Sequence, residues 1–326
     1  MTGYGRVSHS ILFTIQTSWT GSHGGGAGAG NPLRLARMVN QIDGPQGECQ
    51  AMSLEPLYRP EGSNQAYQLR YTWTGWPSDG RPPVADVLPG LLPLWAADGL
   101  NLLEHAWTEG DVKLAFSTRP DVSPVFVAAR AKGRLQHALS QTSGCFSGFS
   151  RKVAVRSVGD NSTHDVEAYI ARQVAKEHFV DPRFEQLMTE FTVVCPQVDL
   201  SVPSESARGR YWYNLHLVLV VAQRDRIADR RPLEIIRDSC FDIARKKGHL
   251  IAALSVMPDH LHVALRGNIQ SSPQEIALGF QNNLAFRLGQ VRIWRDGFYV
   301  GTFSEYDMGA IRIRSRRSCA EARRPA

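Results

Sequence analysis

The sequence has few cysteines, and their spacing would not support a zinc site or a disulfide framework. The five are scattered and odd in number, and none belongs to a C-x-x-C pair. This pattern favours a reducing compartment. No apolar run approaches the roughly 18 residues that a membrane span needs, and the N-terminus lacks the basic, apolar and small-residue order of a signal peptide. We therefore expect a cytoplasmic protein with no membrane partner.

Lysine and arginine together outnumber aspartate and glutamate, so the chain is modestly basic. The net charge is +6 and the isoelectric point is near 9.2. A positive balance attracts polyanions such as nucleic acid, although a solvated basic tail, which includes Ile311–Arg317, explains it equally well. The 326 residues suit two domains, at roughly 150 residues per domain.

The chain resembles itself at a constant separation of 149 residues. The matched positions include Gly99 with Gly248, Ser123-Pro124 with Ser272-Pro273, Leu135 with Leu284, and Gln141 with Gln290. Upstream, Tyr67–Leu69 matches Tyr213–Leu215 at a separation of 146. Internal similarity of this kind indicates a fused tandem duplication.

Both halves predict the order strand, helix, strand, strand, helix. In the first half these elements are expected at residues 67–74, 84–97, 100–107, 112–117 and 125–140; in the second, at 215–222, 232–247, 250–256, 260–265 and 274–288. Pro89 and Pro93 weaken the first of these helices. The expected fold class is α+β, with an antiparallel sheet covered by helices in each half.

The expected layout has four parts. Residues 1–62 form an N-terminal extension with a Gly-rich loop, 63–195 the first domain, 196–210 a linker, and 211–326 the second domain.

His260 and His262 are two residues apart in a predicted strand. Alternate residues of a strand project from one face, so both imidazoles can reach one divalent ion. An H-x-H pair is weak evidence when it stands alone, because two histidines on a half-exposed strand give the same pattern.

The surrounding residues make the pair more specific. Val256–Leu265 resembles the metal-binding strand of the single-tyrosine HUH transposases, which include insertion-sequence and REP-associated tyrosine transposases. Ile293–Thr302 resembles the segment that leads to their catalytic helix. The resemblance implies two HUH-type domains arranged as a pseudo-dimer. It also implies transposition through cleavage and rejoining of single-stranded DNA by way of a covalent 5′-phosphotyrosine.

The family carries its nucleophile as Tyr-Ile-x-x-Gln on a later helix. The second half has Ile311 where the tyrosine is expected, and Tyr299 and Tyr306 come too early, so they are interpreted as a packing residue and a loop residue. The first half supplies Tyr169 and, four residues later, Gln173; residues i and i+4 of a helix share a face, so the phenol and the amide can point at one metal.

The first half lacks the histidines in turn, since Asp111-Val-Lys113 takes their place. Family dimers pair the histidines of one subunit with the tyrosine helix of the other. The resemblance therefore implies one composite site with Tyr169 as nucleophile and with His260, His262 and Gln173 as metal ligands. Independent decay of two sites would leave the same residues, and an amphipathic core helix would explain Tyr169 alone.

A free phenol is only about one-thousandth ionised at neutral pH, so attack on a phosphodiester needs assistance. Mg²⁺ or Mn²⁺ is the expected cofactor. Single-stranded DNA, in hairpin form as the family uses it, is the expected partner, and a homodimer would supply a second site.

Cations interleaved with aromatic residues suggest DNA contacts. The candidates are Arg151, Lys152, Arg156, Arg287, Arg292, Trp294 and Arg295, with Phe298 nearby. In the opposing interpretation, Trp294 and Phe298 are core residues and the arginines are ordinary surface residues that do not bind DNA. Three other functions also stay open: an inactive DNA-binding regulator, a site-specific nickase, and a metal-dependent phosphodiesterase that uses water.

Overall fold

The computed structural model describes residues 55–78, 84–108, 110–143, 146–177, 179–289 and 292–305. Most of the expected N-terminal extension, Tyr306, Ile311 and the basic tail lie outside the described residues. None of the described helices is long and apolar enough to cross a membrane.

The described part of the fold contains twelve strands and seven α-helices. The strands are β1 (Asn64–Gln68), β2 (Arg70–Pro77), β3 (Leu100–Trp107), β4 (Val112–Thr118), β5 (Phe149–Val158), β6 (Thr192–Val194), β7 (Ser204–Ser206), β8 (Gly209–Trp212), β9 (Asn214–Val220), β10 (Leu250–Val256), β11 (His260–Arg266) and β12 (Gly297–Thr302). The helices are α1 (Val84–Ala97), α2 (Pro124–Ser143), α3 (Thr163–Ala171), α4 (Gln173–Lys176), α5 (Pro182–Glu190), α6 (Arg230–Lys247) and α7 (Pro273–Arg287).

All ten predicted elements are confirmed, with ends shifted by no more than three residues. Helix α1 runs through Pro89 and Pro93 without a break. Both prolines are exposed, whereas Val87, Leu91 and Trp95 are buried in the core. Burial of this apolar face therefore outweighs the loss of backbone hydrogen bonds at the prolines.

The strands form two six-stranded sheets with the same central order. The first sheet runs β3-β4-β2-β5-β8-β7, and the second runs β10-β11-β9-β12-β1 with β6 added beside β10. Both β3 and β10 have a register shift at the same place, between Leu102 and Glu104 and between Ile251 and Ala253. The fold class is thus α+β with a pseudo-dimeric arrangement, as predicted; the duplication that would explain it stays a prediction.

Each sheet donates a strand to the other. Strand β1 lies parallel to β12 in the second sheet, and after Leu69 the chain enters the first sheet as β2. Strand β8 lies parallel to β5 in the first sheet, and after Tyr213 the chain enters the second sheet as β9. Both crossover residues are fully buried. The two sheets are therefore tied together by reciprocal strand exchange.

Two buried hydroxyl groups hold the crossovers. Thr302 Oγ1 accepts the Arg70 backbone N–H at 2.9 Å and donates to the Val158 carbonyl at 2.6 Å. Ser157 Oγ accepts the Asn214 backbone N–H at 3.1 Å. Arg70 and Asn214 are the first residues of β2 and β9. Each hydroxyl thus accepts a hydrogen bond from a backbone N–H at the point where the chain leaves one sheet for the other.

Residues 196–210, expected to be a linker, contain all of β7 and the start of β8. They extend the first sheet, and β6, at the end of the expected first domain, extends the second. Cutting the chain at the linker would therefore not separate the sheets. The 146-residue separation is also wrong for these strands, because the register places Arg70 opposite Ser117 and Asn214 opposite Arg266, a separation of 144.

We expect Thr302→Val to lower the free energy of unfolding by about 1–3 kcal/mol, because the buried Arg70 N–H loses its acceptor. Urea denaturation measures the change. Ser140→Ala is the control, since the exposed Ser140 hydroxyl bonds a carbonyl of its own helix, and it should cost less than about 0.5 kcal/mol. Equal effects of the two substitutions would contradict a structural role for the crossover hydroxyl.

Candidate active site

His260 and His262 lie on β11, in the interior of the second sheet between β9 and β10. Their side chains project from the same face, and both are buried. The ring centroids are 4.8 Å apart and the rings are edge-to-face. The expected pair is therefore assembled on a rigid central strand.

A hydrogen bond to Asp259 orients the first imidazole. His260 Nδ1 lies 2.6 Å from Asp259 Oδ1, and Arg224 pairs with the other oxygen at 3.0 Å. Burial works to raise the pKa of Asp259, but the hydrogen bond and charge of His260, with Arg224, outweigh it and lower the pKa to about 2. When the ionised carboxylate accepts Nδ1–H from a neutral imidazole, the lone pair of that ring is on His260 Nε2. This nitrogen is buried and has no hydrogen-bond partner.

A third histidine, which the sequence analysis missed, orients the second imidazole. His216 Nε2 on β9 lies 3.0 Å from His262 Nδ1. Burial lowers the pKa of His216 to about 4. Burial, followed by the charges of His260, His216 and Lys176, lowers the pKa of His262 well below its usual value. Both rings are therefore neutral near pH 7. When His262 donates Nδ1–H to His216, its Nε2 lone pair is free to bind an ion.

Helix α3 brings Tyr169 to these histidines from the other half of the chain. The Tyr169 ring lies 5.4 Å from the His262 ring and 6.0 Å from the His216 ring, edge-to-face in both cases. The helix begins at a capping box in which Ser162 and Asp165 exchange hydrogen bonds. Tyr169 and the histidine pair therefore lie side by side.

Small residues on the sheet let the helix approach. Val166 and Ile170 are buried against Ala252, Ala253 and Ala264 of β10 and β11. Alanine side chains leave room for the helix backbone to come close to the strands, and this contact presents Tyr169 to the site.

The single helix expected for Tyr169 and Gln173 is wrong. Helix α3 ends at Ala171, Arg172 has non-helical dihedral angles, and Gln173 begins the one-turn helix α4. Gln173 is buried, and its Nε2 donates to the Tyr169 carbonyl at 2.9 Å. Burial raises the pKa of the Tyr169 phenol, and a hydrogen bond with the Gln173 amide opposes part of the rise. Gln173 thus touches the phenol, while its role as a metal ligand stays a prediction.

Two further residues border the phenol and the histidines. Lys176 Nζ lies 3.5 Å from the centre of the Tyr169 ring, a cation–π contact that the sequence did not indicate. Tyr299 lies 6.0 Å from His216, ring to ring, and burial raises the pKa of its phenol to about 12. A Cβ on Gly301 would fall 2.4 Å from the Tyr299 hydroxyl, so this glycine makes space for the packing residue.

The corresponding place in the first sheet has no histidines. Asp111 lies just before β4, and Lys113 on that strand pairs with it at 2.9 Å. Lys113 is opposite Thr74 of β2, as His262 is opposite Val218 of β9. The described part of the first sheet therefore holds an ion pair where the second sheet holds imidazoles.

The expected DNA contacts divide into exposed and buried residues. Trp294 and Phe298 are almost fully buried, so the expectation that Trp294 binds DNA is wrong: its ring belongs to the core and offers no stacking face. Arg292 is engaged with Asp296 at 2.7 Å, and Arg156 stacks on Trp212 at 3.9 Å. The exposed arginine at the end of α7, Arg287, lies 3.8 Å from Asp242. Arg151 and Lys152 are exposed on β5, and Arg295 is half-buried.

The comparisons with known proteins concern the half of the chain that carries the histidines. Residues 210–313 match the family model described as "Transposase IS200 like". This segment is therefore similar to IS200-like transposases. The transposase segment contains His216, His260 and His262, whereas Tyr169 lies outside it. The site therefore joins a recognised transposase segment to a helix that the family model does not match.

One solved structure that resembles the chain is a candidate transposase from Deinococcus radiodurans R1. It is 22% identical over 35% of this chain and 92% of its own, with a TM-score of 0.26. No curated protein matches the chain.

We expect Ile170→Ala to loosen helix α3, because removing a buried isoleucine side chain costs about 2–5 kcal/mol. Backbone amides of residues 163–171 should exchange with deuterium faster, as measured by mass spectrometry. His164→Ala, at an exposed position of the same helix, is the control and should leave the exchange unchanged. Identical exchange in both variants would contradict the docking of α3 through Ile170.

Proposed function

We propose that this transposase cleaves and rejoins single-stranded DNA through a covalent bond between Tyr169 and a 5′-phosphate. The observation that carries the proposal is the contact of the Tyr169 ring with His262, at 5.4 Å between centroids. A phenol beside two imidazoles with free Nε2 lone pairs places a nucleophile next to ligands for an electrophilic ion. IS200-like transposases process DNA, and this geometry supports the tyrosine route.

The donor atoms fit a loosely held divalent ion. Among the described residues no group of three or more His, Cys, Asp and Glu side chains is arranged to hold a metal. In this proposal two imidazoles and the Gln173 amide are the protein ligands, and oxygen atoms of phosphate and water would complete the shell. The buried, unpartnered His260 Nε2 favours such an ion, because an unpaired buried nitrogen is otherwise costly. Bound Mg²⁺ or Mn²⁺ would polarise the scissile phosphate and offset charge on its oxygens.

The protein's own groups would prepare the phenol. Burial raises the Tyr169 pKa, so the phenolate needs stabilisation from its neighbours. The Gln173 amide favours the negative oxygen, and the Lys176 ammonium over the ring adds a positive charge nearby. In the reaction the Tyr169 oxygen attacks phosphorus, the bond from phosphorus to the 3′-oxygen breaks, and the 3′-oxygen leaves as a hydroxyl after gaining a proton. Attack by a second 3′-hydroxyl on the phosphotyrosine reverses these steps and joins new ends without ATP.

We expect Tyr169→Phe to abolish a covalent adduct with a labelled single-stranded hairpin DNA in Mn²⁺, because the attacking oxygen is missing. A denaturing gel measures the adduct. His260→Ala should lower its yield by at least about 100-fold, since one charge-stabilising ligand is worth several kcal/mol. Tyr299→Phe is the matched control, because it removes the hydroxyl of another tyrosine whose ring lies 6.0 Å from the His216 ring, and it should keep the adduct.

Other outcomes favour the other functions. Cleavage without an adduct would favour a phosphodiesterase that uses water. Binding with neither cleavage nor adduct would favour an inactive regulator. Retention of the adduct in Tyr169→Phe would contradict the proposal directly.

We expect Asp259→Asn and His216→Ala each to weaken Mn²⁺ binding about 10- to 100-fold, because partners that orient histidine ligands have effects of this size. Electron paramagnetic resonance of free Mn²⁺ during titration measures the affinity without DNA or catalysis. Asp225→Asn is the control. It removes an exposed carboxylate that, like Asp259, precedes β11 in the chain, and this variant should bind Mn²⁺ normally. Wild-type affinity in both site variants would count against an ion on His260 and His262.

A further inference from the structure

An open groove lies beside helix α2 on the first sheet. Its walls come from α2, β5 and β8, and its volume is about 570 Å³. Lys132, Arg151 and Arg208 line it, and no aspartate or glutamate is among its described lining residues. A groove with three cations and no carboxylate favours an anionic occupant.

The matching place on the second sheet is filled by the chain itself. Tyr58 lies between helix α7 and the segment that leads into β12. The Asn282 side chain accepts the Tyr58 N–H and donates to the Tyr58 carbonyl, both at 2.9 Å. The Tyr58 hydroxyl accepts the Trp294 N–H at 2.8 Å. Tyr58 is almost fully buried, so this groove is closed.

Hydrogen bonds and strand register establish which positions correspond. Lys132 Nζ of α2 donates to the Ser150 carbonyl at 2.8 Å, and Gln281 Nε2 of α7 donates to the Arg295 carbonyl at 3.1 Å. One residue further along each helix, Gly133 stands where Asn282 stands in the other. With no side chain, Gly133 cannot hold a covering segment as Asn282 holds Tyr58.

The two grooves also differ in the charge of the residues at corresponding positions. Where the open groove has Lys132, Arg151 and Arg208, the closed groove has Gln281, Asp296 and Asn64. Arg151 and Arg208 are exposed and form no ion pair with any described residue. At these three corresponding positions, the groove that solvent can reach has cations, whereas the groove that the chain covers has neutral or acidic residues.

We propose that the open groove binds the phosphate backbone of a DNA strand, so that the two halves hold DNA asymmetrically. The inference rests on the proposed function, because it assigns a place where that function's DNA is held. Paired arginines suit phosphate oxygens, and contacts to phosphate position DNA without reading its sequence. The second half contributes the histidines, and the first half would contribute both the phenol and this phosphate-binding groove.

The test is the binding of a fluorescent single-stranded hairpin DNA to Tyr169→Phe protein in EDTA, measured by anisotropy. Without nucleophile or metal, binding is independent of cleavage, so a failed adduct assay leaves this result interpretable. The double variant Arg151→Gln with Arg208→Gln should bind at least about tenfold more weakly. Its slope of log affinity against log salt should fall by about 1.4, since each lost single-strand phosphate contact removes about 0.7.

Two controls separate the groove from general charge. Lys246→Gln with Lys247→Gln removes two exposed cations from α6 and should leave affinity within about twofold, allowing for the general effect of net charge. Gly133→Glu should weaken binding, whereas Gly133→Ala should not, because a Cβ at Gly133 meets nothing within 4 Å. Equal losses in the two double variants, unchanged binding in Arg151→Gln with Arg208→Gln, or no binding by the parent protein would overturn the proposal.

Discussion

The packing of helix α3 on strands β10 and β11 is the contact on which the site depends. Ile170 and Val166 lie against alanines of the sheet, and this fixes Tyr169 beside His262. Strand exchange supports the contact, since β1–β2 and β8–β9 each cross from one sheet to the other. A helix from one half can therefore face the strand of the other without relying on a separable interface between subunits.

The composite arrangement accounts for incomplete residues in both halves. The first sheet has Asp111 and Lys113 where the second has histidines, and the imidazoles lie beside the helix that carries Tyr169. The histidines are held by partners of different kinds, a carboxylate for His260 and a neutral imidazole for His262. Each partner bonds the Nδ1 atom of its histidine, so neither of these hydrogen bonds uses an Nε2 atom.

The sequence alone predicted the features of the fold and of the site that follow from periodicity and spacing. Alternation on a strand predicted that His260 and His262 share a face, and element order predicted two similar sheets. His216 escaped notice because it lies on a neighbouring strand, 46 residues away from His262, and contacts across a sheet leave no local pattern. The break at Arg172 was missed as well: Gln173, the residue after it, is buried by contacts that the local sequence does not show.

Surface chemistry was harder to predict than the core. Cations next to aromatic residues suggested a DNA-stacking stretch around Trp294, yet burial makes that ring part of the core. Arg151 sits in an open groove, whereas Arg292 is paired with Asp296.

Mass spectrometry of the peptide that carries the DNA adduct tests the composite site most directly. After reaction with hairpin DNA in Mn²⁺ and nuclease trimming, we expect the remaining nucleotide on the peptide that contains Tyr169. A nucleotide on Tyr299 or Tyr306, or on no tyrosine while DNA is cleaved, would contradict the account.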